Sequence, residues 1–432
     1  MQETRNSTKG GCKTLSSAIN MNEILLASFM LLFASANGQR VQQQASVSRG
    51  ILQGRIRMGI LPEDSQITVR SAIPQIPAAL PELTPLDITM NTIEDMVDVV
   101  KMEDPKDPLM GGLKAVMKDV KENQQKQQQQ PQVSTRQAGS EEAMADAFED
   151  RVRVLLSASG VETVLPLDCG RNPQNPDNPL EEPPLPWIAA LGSREDGRFH
   201  YRCTGAVISR FHILTDADCV ASPNINLVQF NVSRRVPDPN AILNYVVGRR
   251  IHPMVKGTED LLSGYNLGLL ELAFPVEFNE YIQPVCLPGI FETAKQESQD
   301  PTHVVGFNNI SDTPLGRIAT LYSEGNSTTF GPAGCQILIK AYNERYPSLI
   351  SNLFSLITKN HVCVNKLYDE IGKSVVLREN AATGRVQLLG VSGVANARFP
   401  IPIAYTQVQP HRLWIELVLK KFKDNTSRRT LG

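Results

Sequence analysis

Between Tyr201 and Val220 the chain reads Tyr-Arg-Cys-Thr-Gly-Ala-Val-Ile-Ser-Arg-Phe-His-Ile-Leu-Thr-Asp-Ala-Asp-Cys-Val. Cys203 and Cys219 bracket a run rich in β-branched and apolar side chains, among them Val207, Ile208, Ile213 and Leu214. Side chains of this kind favour the pleated, half-buried surface of a strand. With a cysteine at each end, the run suits a hairpin closed by a short disulfide. No other stretch constrains the fold as far.

The remaining cysteines agree with that reading. Cys12 stands alone near the start, and the other six fall between positions 169 and 363. An even number confined to one region points to a disulfide framework and an oxidising compartment. None of them shows the Cys-x-x-Cys or Cys/His spacing of a zinc site, so no metal and no cofactor is expected. A formal net charge of −2 without a large basic cluster argues against nucleic acid as a partner. The 432 residues are enough for two ordinary domains, or for one large domain with an extended appendage.

Ile24 to Ala36 is an apolar run ending in Ala34-Ser35-Ala36, which fits a signal peptide with its small-residue cleavage site. It is shorter than the roughly 20 apolar residues that span a bilayer. Residues 1–36 therefore read as a secretion signal, with Met21 as an alternative start and a buried core helix as the bland alternative. Cleavage would remove Cys12 and leave no membrane association.

Residues 37–165 form an amino-terminal extension. As far as about residue 85 it is polar, Gln-rich and then Pro-rich, which predicts disorder or an extended chain. Three amphipathic helices follow. Ile93, Met96, Val97 and Val100 share the first apolar face, with Asn91 and Glu94 at capping-box spacing. Leu109, Leu113, Val116, Met117 and Val120 make the second face, and Met144, Phe148, Val152 and Leu155 the third. A Gln-rich linker, Asn123 to Gln132, separates the second helix from the third. Such stripes cannot be buried alone. They must pack on one another, on the carboxy-terminal domain, or on a partner.

From Pro186-Trp187-Ile-Ala-Ala-Leu191 to about Phe422 the chain resembles the chymotrypsin/trypsin family of serine proteases. In the family, a Cys-Gly-Gly-Ser-Leu-Ile-Ser run leads to Ala-Ala-His-Cys, and Cys203 to Cys219 is similar in layout. Leu269-Leu-Glu-Leu272 resembles the central strand, and Ile282-Gln-Pro-Val-Cys-Leu-Pro288 the crossover between barrels. Ala404-Tyr-Thr-Gln-Val408 resembles the last strand, and Trp414-Ile-Glu-Leu-Val-Leu419 the closing helix. The resemblance implies an all-β fold of two six-stranded antiparallel barrels with a carboxy-terminal helix. It spans 186–422, after a cysteine-containing linker at 166–185 and before a tail at 423–432. It further implies the disulfides Cys203–Cys219, Cys335–Cys363 and Cys169–Cys286, chosen from the fifteen pairings that six cysteines allow. Arthropod relatives of this kind often carry a small disulfide-knotted clip domain, for which this chain has no cysteines.

The same resemblance locates the catalytic positions. Serine catalysis needs a base within reach of the nucleophile, a group orienting the base, and oxyanion donors. The base position holds Asp218 where the family has histidine, and the orienting position holds Asn266 where it has aspartate. A carboxylate, with an ordinary pKa near 4, is a poor proton acceptor from serine at neutral pH. Counting back from Val375-Val376 puts Ile371 at the nucleophile, whereas matching Gly372-Lys-Ser374 puts Ser374 there. His212, next to this region in sequence, reads as a strand histidine. Between Cys169 and Trp187 the sole basic residue is Arg171, and no Ile-Val-Gly-Gly activation end follows it.

What the resemblance implies is a secreted, glycosylated pseudoprotease with sequons at Asn231, Asn309, Asn326 and Asn425. It would bind extracellular proteins, active serine proteases or their substrates, as cofactor, scaffold or decoy in a cascade of immune, melanisation or reproductive type. The alternative is an active endopeptidase with relocated catalytic residues. A third reading makes the amino-terminal helices the working part and the barrels their carrier.

Overall fold

Alternation with a period of two marks the outer part of one strand in the first half of the domain. In β2 (Arg198–Val207), Phe199, Tyr201 and Cys203 are buried while Arg198, His200 and Arg202 reach outward, as a pleated strand requires. The computed structural model describes residues 85–128, 137–161, 164–180, 185–232, 235–256, 264–292, 301–313, 316–325, 327–337, 360–364, 373–380, 383–394 and 403–430. β2 joins β1 (Ile188–Glu195), β3 (His212–Thr215), β4 (Leu227–Phe230), β6 (Ile242–Ile251) and β7 (Gly268–Leu272). These close into a six-stranded antiparallel barrel in the order β1-β2-β3-β7-β6-β4. Closure leaves no free sheet edge.

The second half consists of β8 (Thr302–Thr313), β9 (Gly316–Glu324), β10 (Thr329–Phe330), β11 (His361–Val364), β12 (Ser374–Asn380), β13 (Arg385–Val394) and β14 (Ile403–Gln407). With β5 (Arg235–Val236) they form an eight-stranded sheet in the order β10-β11-β14-β13-β12-β8-β9-β5. The fold is thus trypsin-like and mostly β; among the described residues the first half is the expected six-stranded barrel, whereas the second is an eight-stranded sheet in place of a second six-stranded barrel. Among the described residues the second sheet gains a strand from the first half: Arg235 and Val236 pair with Thr320 and Ala319 on the outer edge of β9. An edge left bare would expose unpaired backbone groups, and β5 covers it.

Three disulfides tie the frame: Cys169–Cys286, Cys203–Cys219 and Cys335–Cys363. Each stabilises a fold by roughly 2–4 kcal/mol, mainly by restricting the unfolded chain. The first closes the longest loop, 117 residues. There Gly170, at φ +69°, lies so close to the backbone of Val386 that a Cβ would sit 2.4 Å from its carbonyl oxygen. Only glycine permits both the left-handed backbone and that approach.

Ahead of the barrels, three helices form a bundle: α1 (Pro85–Glu103), α2 (Pro108–Gln128) and α3 (Gln137–Ala158). Ile93, Leu113, Val120, Val152 and Leu156 have no solvent exposure. They belong to one apolar cluster that runs on into Val285, Leu413, Trp414 and Leu417 of the protease-like part. Two sequence expectations are corrected. Asn91 and Glu94 lie inside α1, which begins six residues earlier at Pro85, a residue suited to the first turn because its missing N–H is not needed there. The Gln-rich linker is helical as far as Gln128, since glutamine is a good helix former and α2 is already nucleated by its packed stripe. Gln124 Nε2 donates to Asp87 Oδ1 at 2.9 Å, fastening this extension to α1.

The bundle meets the carboxy-terminal helix, Arg412–Thr430, at Glu103. Trp414 Nε1 donates to Glu103 Oε1 at 3.0 Å, and Lys421 Nζ donates to Glu103 O at 3.0 Å and Oε2 at 2.6 Å. So the stripes pack both on one another and on the carboxy-terminal domain. No helix among the described residues is long and apolar enough to cross a membrane. Residues 1–84, with the expected signal segment and the polar stretch, lie outside the described residues.

Candidate functional site

Asp216 ends β3's segment and caps the short helix Ala217–Ala221, its Oδ1 accepting from Cys219 N at 2.8 Å. An aspartate here satisfies an N–H that would otherwise be orphaned at the helix start. The first turn then presents Asp218, while Cys219 is held by its disulfide to β2. Gly268 lets β7 begin against this helix, since a Cβ there would stand 2.6 Å from Val220 Cγ2. Asn266, just before β7, fixes the helix from the other side: its Oδ1 accepts from Ala217 N at 2.8 Å.

Lys373 comes from the other half of the molecule, immediately before β12. Its Nζ contacts Asp218 Oδ2 and stands 3.3 Å from Asp216 Oδ2. One ammonium thus bridges two carboxylates across the junction between the halves. Asp216 is almost entirely enclosed, at 1% exposure. Burial, then the hydrogen bond with Asp218, pushes its carboxyl up to about 7, against the pull of Lys373. Burial also works against charge on Asp218, yet the hydrogen bond from Asp216 and the ammonium of Lys373 hold its carboxyl below the usual aspartate range. For Lys373, burial is outweighed by the two carboxylates, which hold the ammonium above the ordinary lysine value.

Ser374 follows as the first residue of β12, buried, with its hydroxyl 3.0 Å from that of Tyr405 on β14. Ile371 lies outside the described residues. His212 sits on β3, buried, with Nδ1 3.0 Å from Ser209 Oγ and its ring edge-on to Phe422. Burial drives its pKa down to about 4, so it is neutral. This Ser–His contact is sealed, and among the described residues no carboxylate is hydrogen-bonded to the ring. His252 and His411 stack near Trp414, and His411 Nε2 approaches Gly264 O at 2.8 Å. Burial, joined for His252 by its neighbour His411, holds both well below the ordinary imidazole range.

The sequence singled out Asp218, Asn266 and Ser374. The structure places Asp218 in one short helix and Asn266 against that helix's first turn, while the hydroxyl of Ser374 pairs with Tyr405. It adds Asp216, whose signal was legible as an aspartate capping a helix two residues ahead of Asp218, and Lys373, which the sequence did not connect to either acid. Asp216 is also near the sulfurs of Cys203 and Cys219, but in a disulfide these offer a metal no thiolate. Arg171 pairs with Asp168 at 3.1 Å on the surface. Of the sequons, Asn231 is half-buried with φ +56°; the side chains of Asn309, Asn326 and Asn425 lie outside the described residues.

A closed antiparallel barrel, a second sheet, a carboxy-terminal helix and a junction carrying Asp218, Asn266 and Lys373 define a protein of the two-barrel serine protease class. The trypsin family model matches residues 177–415, more than half of the chain, and the chain belongs to that family. Among curated proteins it is similar to clotting factor G beta subunit of Tachypleus tridentatus, 27% identical over 246 residues, covering 54% of this chain and 74% of that protein. It is also similar to phenoloxidase-activating factor 1 of Holotrichia diomphalia, 29% identical over 208 residues, covering 40% and 55%. CLIP domain-containing serine protease B9 of Anopheles gambiae matches at 26% over 146 residues, covering 28% and 35%.

Proposed function

We propose that this protein is a secreted, non-catalytic serine protease homologue that acts by binding in an extracellular proteolytic cascade, as a cofactor, scaffold or decoy. The observation that carries the reading is the state of Asp218. At the position of the general base stands a carboxylate held below its usual range and already committed to the ammonium of Lys373. It lacks the basicity to take a proton from a hydroxyl at neutral pH.

The rest of the cleft supports the same reading. Asn266 spends its carbonyl oxygen on Ala217 N, and Ser374 spends its hydroxyl on Tyr405. The bond of Ser374 to Tyr405 supports the Ile371 alignment of the nucleophile position over the Ser374 one. The names of the relatives, a clotting factor subunit and a phenoloxidase-activating factor, favour a clotting or melanisation cascade over the reproductive type. Partners are extracellular proteins, active serine proteases or their substrates. In this reading residues 1–36 are the signal, and 37–165 the extension. The linker is 166–185, the pseudoprotease domain 186–422 and the tail 423–432, with the four sequons available for glycosylation.

The test is reconstitution. The secreted protein is added to an active cascade protease with its zymogen substrate, and the rate of zymogen cleavage is followed. A saturable change in rate, unaltered by Ser374→Ala, is expected. Loss of the effect in that variant would point to the endopeptidase alternative, and no change in rate with any cascade protease would remove the cofactor reading.

A further inference from the structure

Asp216, Asp218 and Lys373 leave two oxygens unaccounted for. Oδ2 of Asp216 and Oδ1 of Asp218 are both sealed from solvent, and neither has a hydrogen-bonding partner outside the carboxyl pair itself. Lys373 stands 3.3 Å from the first as an ion-pair contact and occupies the opposite oxygen of Asp218. Asp216 Oδ1 is taken by Cys219 N. Two carboxylates and one ammonium carry a net charge of −1, which is costly at Asp216, the member of the three that is almost fully enclosed.

We propose that Asp216 and Asp218 hold a single proton between them, and that with Lys373 this makes a charge-neutral, pH-sensitive lock across the two halves of the domain. The proton satisfies both sealed oxygens at once, one as donor and the other as acceptor, and cancels the excess charge. Losing it leaves a buried negative charge on the junction and weakens the tie. This inference is independent of whether the cleft is catalytic.

Among the described residues, the groups around Asp216 leave the proton no rival partner. Of those residues Lys373, ahead of β12, and Asp218, on the short helix, are the charged groups that face it. Asn266 and the disulfide are neutral, and Arg249 of β6 is turned to the carbonyls of Val220, Ser222 and Ile225. In the unfolded chain Asp216 ionises near the ordinary aspartate value, whereas in the fold it keeps its proton up to about 7. Between these limits the folded state binds more protons, so its stability falls as pH rises. Buried His212, His252 and His411, held neutral, act in the opposite sense. Only a difference between variants isolates the lock.

Asp216→Asn keeps the cap acceptor and supplies a permanent donor toward Asp218, so it imitates the protonated state. Urea unfolding of the full chain is compared with this variant from pH 5 to pH 8. The wild type should lose at least about tenfold in its folding equilibrium relative to the variant, of the roughly hundredfold that lies between pH 5 and a folded pKa of about 7. At pH 6 the infrared carbonyl band of a protonated carboxyl should appear in the wild type and diminish in Asp216→Asn. Lys373→Met should carry that band to higher pH. Parallel unfolding profiles, or no difference in the band at pH 6, would overturn the proposal; if Lys373→Met fails to fold, the Asp216→Asn comparison decides it alone.

Discussion

The molecule has two internal junctions, and they are built on opposite physics. Where the helical bundle meets the barrels, an apolar seam does the joining: Ile93, Leu113 and Val152 continue into Leu413 and Trp414, and Glu103 adds a few polar contacts at the rim. Where the two halves of the protease-like domain meet, Lys373 reaches between Asp216 and Asp218. The first junction gains from water being expelled. The second gains little net energy, because desolvating the charges offsets their attraction, but it fixes which groups meet. Bulk adhesion therefore resides in the seam, and specificity in the cleft.

The contrast can be broken at either end. Ile93→Ala should be the most damaging substitution, costing about 3 kcal/mol through lost apolar contact and a residual cavity, with urea unfolding as the measure. Lys373→Met should cost about 2 kcal/mol. That is less than a fully buried pair would lose, because side-chain exposures of 31% for Lys373 and 42% for Asp218 let solvent screen the charges. Adding Asp216→Asn and Asp218→Asn to Lys373→Met should recover much of that loss, since the stranded charges go with the ammonium. A triple variant as unstable as the single one would mean that packing of the lysine stem, and not charge, holds the cleft.

Two smaller effects sharpen the picture. Ser374→Ala should cost about 1 kcal/mol, the net worth of one buried hydrogen bond to Tyr405, visible as a small shift in unfolding midpoint without any change in peptide hydrolysis. Glu103→Gln should cost under about 1 kcal/mol, because its partner Lys421 is half in water and the seam beneath is untouched. Limited proteolysis should leave the bundle attached in that variant. Detachment would show that the rim, not the seam, carries the dock.

How legible this was differs between the junctions for the same reason. The apolar stripes of the three helices announce themselves by spacing: Ile93, Met96, Val97 and Val100 of α1 and Leu109, Leu113, Val116 and Val120 of α2 are buried, as are Met90, Val99 and Met110 beside them, whereas Met117 is only half-buried. Their ends were less legible. The start at Pro85 and the run through the glutamines to Gln128 depend on helix already nucleated by tertiary packing, which no local rule reports. In the cleft, Asp218 and Asn266 could be found by resemblance to the family's segments. The pairing of Lys373 with Asp216 could not, because it joins residues 157 positions apart through the fold alone. β5 escaped notice likewise, as two residues carry no period.

The account rests on a cleft that cannot activate a serine. Its most direct test exposes the intact protein at neutral pH to a broad fluorophosphonate probe beside an active family member, followed by mass spectrometry of the labelled peptide. The account predicts no covalent adduct on any serine, including Ser374 and Ser209, while the control labels fully. A stoichiometric adduct on one serine, lost when that residue is changed to alanine, would contradict it.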